Sequence, residues 1–157
     1  MTSLYVDDLI QNLEIEITEF SRVYKLGENS GYFIVIEDDE DGGVIFLIIK
    51  IGECSADKAR KMCASSLENA QRLVAHPEHK TSWQSRDPEK DQGGGAIRIS
   101  CEDGKTYIFS FSGLTEHAEH VGEALMAYVA FHTGYINATD LRELMIISNN
   151  PYFGIVG

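Results

Sequence analysis

Basic side chains are scarce in this sequence. Thirteen Lys and Arg stand against 25 Asp and Glu, which leaves a formal net charge of −12. A surface of that sign repels phosphate backbones and anionic lipid, so neither nucleic acid nor membrane is expected as a partner. Long apolar runs are missing too, with nothing near the roughly 18 consecutive apolar residues that span a bilayer. The opening residues Met1–Asp8 carry neither a basic region nor an apolar signal core, so the expectation is a cytoplasmic chain. Cysteine is limited to Cys54, Cys63 and Cys101, an odd number without a C-x-x-C spacing, which reads as reduced thiols and not as a disulfide or zinc site. There are only three prolines, and two of them fall in one polar stretch, residues 76–95.

What remains is an ordinary globular composition. The chain has 157 residues, 43% of them hydrophobic, enough for one domain to bury a core of its own. Ser3 is placed to cap a short helix, with Asp7 and Asp8 near its positive end and Leu9, Ile10 and Leu13 at helical spacing. From Leu13 the period changes. Leu13, Ile15 and Ile17 alternate with Glu14, Glu16 and Thr18, which predicts a half-buried strand. The same region also fits one helix face through Leu13, Ile17, Phe20 and Tyr24, so a helix running on to Leu26 is the competing reading.

Tyr32–Ile36 and Val44–Ile51 read as strands joined by a hairpin at Asp41-Gly42, and the unbroken apolar run of the second implies that both of its faces are covered. Ser55 caps a helix whose stripe includes Ala59, Met62, Cys63, Leu67, Ala70 and Leu73, ended by Pro77. Residues 76–95 form a polar insertion loop with Trp83 as its large anchor. Ala96–Cys101 and Thr106–Phe111 are two more strands around the turn Glu102-Asp103-Gly104-Lys105. A helix capped by Thr115 carries Val121, Leu125, Val129 and His132 and stops at Gly134, and a last short helix holds Leu141, Leu144 and Met145. The C-terminal extension is about 137–157. The predicted order is α-β-β-β-α-β-β-α-α, an α+β fold with an antiparallel five-stranded sheet flanked by helices in a single domain over 1–157.

No constellation announces chemistry. His76 with His79, and His117 with His120, sit three apart, but neither pair has a third metal ligand at a usable spacing. Gly93-Gly94-Gly95 leads into a strand and not into the helix N-terminus that a phosphate cradle needs. Glu37–Asp41 offers five carboxylates without the full alternation of a calcium loop, so a solvated hairpin tip or a docking surface for a basic segment is the expectation. Ser112 and Cys54 have no base at a recognisable spacing. The expectation is therefore no enzyme, no cofactor and no metal.

The apolar elements near the chain ends carry more information, because an apolar patch rimmed by carboxylates marks a protein-binding surface. Several segments resemble the class I type III secretion chaperones (the Tir-chaperone family). They are Val6–Leu13, the strand pair around Asp38–Gly43, Ile51-Gly52-Glu53, Leu67-Glu68-Asn69-Ala70, and Gly94–Ile97 leading to Glu102–Lys105. That resemblance implies a cytoplasmic homodimer that holds an amphipathic or basic segment of an effector client. It places the client on Leu9, Leu13, Ile15 and Ile17, and the dimer contact on Met62, Leu67 and Leu73. A second set resembles the GlcG/HbpS family: Phe33–Gly43, the Lys58-Ala59 helix, Gly93–Ser100 and Ser112-Gly113-x-Thr115. It implies one helix from about Leu4 to Leu26 and a small-ligand, haem-binding domain. A toxin-immunity type of acidic binder is a third reading.

Overall fold

The computed structural model describes residues 5–25, 29–39, 42–90, 92–101, 104–114 and 119–150. The elements are α1 (Val6–Tyr24), β1 (Gly31–Asp39), β2 (Gly42–Ile51), α2 (Ala56–Val74), β3 (Ala96–Ser100), β4 (Thr106–Gly113), α3 (Glu119–His132) and α4 (Ala138–Ser148). Two short 3-10 turns, Ser82–Ser85 and Pro88–Lys90, lie between α2 and β3. Among the described residues the strands form one antiparallel sheet in the order β2-β1-β4-β3.

The α+β class holds, but the sheet has four strands where five were expected, and the order is α-β-β-α-β-β-α-α. The correction falls on Leu13–Ile17. α1 runs unbroken to Tyr24 and ends on Lys25 in the left-handed conformation. Leu9, Leu13, Ile17 and Phe20 are all in the core, whereas Ile15 is 58% exposed. The period-two alternation used Ile15 as a core residue. The helix period discards it and recruits Phe20 instead, which buries more apolar surface on one face. The Ser3 and Thr115 caps lie outside the described residues.

Two layers cover the sheet. α2 lies on one face, where Ala70 and Leu73 pack on Ile34, Ile36, Ala96 and Ile108. The other face carries the larger core, where α1, α3 and α4 bury Phe33, Val35, Phe109 and Phe111. α3 can sit directly on β4 because of Gly122: a Cβ there would come within 2.2 Å of the Phe111 carbonyl oxygen. α2 begins on the expected cap, with Ser55 Oγ accepting from the Lys58 N–H at 3.3 Å. Asn137 caps α4 the same way, accepting from the Asp140 N–H at 2.8 Å.

Candidate interaction site at the open sheet edge

The two ends of the sheet differ. β3 is closed by the segment after α2: the Arg98 N–H donates to the Lys80 carbonyl at 2.8 Å, and Thr81 bridges to Ile97. Two arginines hold that segment in place. Arg98 donates to the His79 carbonyl at 3.0 Å, to the carbonyls of Leu73 and His76, and to the Asp38 carboxylate. Arg72, on the sheet side of α2, donates to Ser85 Oγ at 2.9 Å, to Glu68 at 2.6 Å, to the Ser82 carbonyl at 3.1 Å and to the Gly93 carbonyl. Beside it the Asn69 amide donates to the Gly94 carbonyl at 3.0 Å. Gly95 stands at φ +146° with its Cα facing that amide, and a Cβ would meet Asn69 Nδ2 at 2.6 Å. The described residues of 76–95 are therefore a built cover. The Arg86 guanidinium lies over the Trp83 ring, 4.2 Å from its centroid.

Glu123, on α3, faces this cover and is 0% exposed. Burial pushes its carboxyl up to about 8, against weaker opposing effects from the Thr81 hydroxyl, the Trp83 N–H, Arg72 and Arg86. Neither carboxyl oxygen makes a well-formed hydrogen bond within the described residues, so the group is held neutral at pH 7. Wholly covered, it cannot touch a substrate in this conformation. It titrates as part of the cover.

β2 lies at the other end, and no described residue pairs with its outer edge. Val44 is 58% exposed, Phe46 47%, and Ile45 and Ile48 45% each, while Leu47 and Ile49 are half-buried. An apolar run was expected to be covered on both faces. Here the run is at the rim, and the helices shield it only from the β1 side. Between Val35 and Ile36 the register of β1 on β2 shifts by one residue, leaving Phe46 as the extra residue of a bulge. Leu47 and Ile49 thus face the α1/α3 side with Phe46, whose ring meets Tyr107 edge-on at 6.5 Å, while Ile45 and Ile48 face the α2 side. A long apolar edge without charge is rare on a free protein, because such an edge templates pairing with another chain.

The residues expected to bind a partner or a second copy are elsewhere. Leu9, Leu13 and Ile17 lie in the core and only Ile15 of that set points outward. Met62 and Leu73 are buried beneath α2, and Leu67 is half-buried against the same small core. Among the histidines, His76 and His79 stack with ring centroids 4.9 Å apart, and His132 pairs with the buried Glu16. His117 and the His120 side chain lie outside the described residues. Among the described residues no group of three His, Cys, Asp or Glu could hold a metal ion, and no helix is long and apolar enough to cross a membrane. No family model, curated protein or solved structure matches the chain.

Proposed function

We propose that this chain is an acidic cytoplasmic protein-binding module that takes an extended segment of another polypeptide onto the outer edge of β2. The observation that carries it is the run Val44–Ile49: six consecutive apolar residues on an edge strand, four of them well exposed. Main-chain N–H and C=O groups of the edge supply affinity by strand addition, and side chains on both faces supply selectivity. In the secretion-chaperone resemblance the client surface was Leu9, Leu13, Ile15 and Ile17. These lie on the one helix α1 with all but Ile15 in the core, so the proposed partner is seated on β2 instead. The single helix Val6–Tyr24 is what the GlcG/HbpS resemblance implied, which keeps a small-ligand domain as the second reading.

A displayed peptide library panned on the purified chain tests the reading. Binders with alternating apolar residues should slow hydrogen exchange at β2 amides, and Ile45→Asp should abolish that protection. Binders that protect another surface, or none at all, would overturn it. A stoichiometric haemin titration with a Soret shift would favour the small-ligand reading.

A further inference from the structure

We infer that the polypeptide β2 takes is a second copy of this chain, paired β2 against β2 in antiparallel fashion about a two-fold axis at Ile48; the inference rests on the strand-addition reading above. The chemistry of the strand is the first reason. From Val44 to Ile49 there is no charged or polar side chain, so a basic segment laid along β2 would find no carboxylate on it. The occupant has to be apolar on both faces, and β2 itself is such a strand.

Face matching is the second reason. Residues directly opposite in an antiparallel pair lie on the same face of the sheet. On the α2 side β2 presents Ile45, Ile48 and Lys50, opposite Ile36, Ile34 and Tyr32 of β1. On the other side it presents Val44, Phe46, Leu47, Ile49 and Ile51. The bulge changes the parity midway, so residues on its two sides share a face across the pair only when Phe46 is passed over. With the axis at Ile48, Ile48 meets its own copy and Leu47 meets Ile49. Passing over Phe46 as the extra residue, Ile45 meets Lys50 and Val44 meets Ile51. Every pair then shares a face.

Charge is the third reason. Two chains of net charge −12 repel, so they associate only where the local charges complement each other. Lys50 is the one charged residue of β2 and is exposed at its C-terminal end. Antiparallel pairing sets it beside the start of the other copy's β2, which pairs with Glu37 and Asp38 of β1. Asp38 lies on the same α2 face, in contact with Arg98. The two-fold makes this contact twice. The two sheets become one, with the covered β3 edges at its ends, and an isologous closed dimer results.

Sedimentation equilibrium of the full chain, from roughly 1 to 100 μM at low salt, should show a monomer–dimer equilibrium, with β2 amides protected in step with dimer. Ile48→Lys opposes two ammonium groups on the axis and should weaken the dimer at least about tenfold, while the melting temperature at concentrations where both chains are monomeric is unchanged. Lys50→Glu should weaken it at low salt and recover as salt rises. If Ile48→Lys fails to fold, Ile48→Cys in a Cys54→Ser, Cys63→Ser background decides. Oxidation should link it covalently to its copy, whereas Val44→Cys, facing Ile51, should stay unlinked. A chain monomeric at the highest concentration, a dimer indifferent to Ile48→Lys, or an unlinked Ile48→Cys would overturn the inference. So would a monomer whose β2 amides lose protection only when residues 151–157 are removed, since those residues would then be the occupant. A monomer that still binds library peptides at β2 overturns the self-pairing alone. A dimer through another face with no peptide at β2 overturns both readings.

Discussion

The β3 edge and the β2 edge belong to one sheet and solve the same problem in opposite ways. At β3 the exposed backbone is satisfied from within, by residues 79–82, with Arg72 and Arg98 tying that cover to α2 and to β1. At β2 nothing in the described chain does this, and the side chains are apolar where edge-protecting charges would be placed. A protein that encloses one edge with two largely buried guanidiniums and, among its described residues, leaves the other bare treats the two edges differently, and the strand-addition proposal rests on that asymmetry.

Of the two edges, the larger effect on stability is expected at the closed one. Arg72→Ala removes a buried guanidinium that serves two main-chain carbonyls, a hydroxyl and Glu68. It should cost about 3–4 kcal/mol, because those acceptors are left buried and unpaired. Urea unfolding measures the loss, and hydrogen exchange should accelerate over residues 76–95 before the rest of the fold. A variant that unfolds globally with no earlier opening of that segment would contradict the assignment of the cover.

Glu123 gives the cover a pH dependence. Its folded pKa, about 8, lies above that of an unfolded carboxyl, so the native state binds its proton more tightly. That contribution is fully present below the unfolded value and is lost as the pH rises through about 8. Glu123→Gln keeps the neutral shape and should remove this decline. The variant should therefore gain on the wild type as pH rises from 5 to 9, by on the order of a few kcal/mol. Melting curves across that range check the sign, and parallel curves would refute a neutral buried carboxyl.

At the open edge the expectation reverses. Val44→Lys adds a charge to a side chain that is 58% exposed, so unfolding free energy should change by no more than about 0.5 kcal/mol, while association through β2 falls. α1 offers an internal contrast: Leu13→Ala should cost about 2–5 kcal/mol and Ile15→Ala almost nothing. The smallest effect is on the rim of the closed edge. Lys80 and Glu143 pair at 2.7 Å but both are about half exposed, so Glu143→Gln should cost at most about 0.5 kcal/mol and less in salt.

Much of the fold was legible from local pattern. The ends of α2 follow from Ser55 and Pro77, and the cores of the four strands follow from their β-branched and aromatic runs. Gly134, at φ +86°, ends the α3 region as its lack of a Cβ suggested. The candidate site was half legible. The apolar run Val44–Ile51 stands out in the sequence, but its reading as a doubly covered strand was reversed by its place in the sheet. No composition rule distinguishes a central strand from an edge strand waiting for a partner, because both are apolar on two faces.

The sequence by itself determined the charge, the helical and strand segments with strong periodicity, and the hairpin of β1 with β2. Only tertiary structure decided between helix and strand at Leu13–Ile17. There the two periods share Leu13 and Ile17 and differ in Ile15 against Phe20 and Tyr24, and the choice depends on which side chains find a core to enter. Tertiary structure also decided the work of Arg72, which looks like any helix-surface arginine until residues 76–95 fold over it. A buried charge is stable only when distant carbonyls converge on it, and that convergence is a property of the assembled chain.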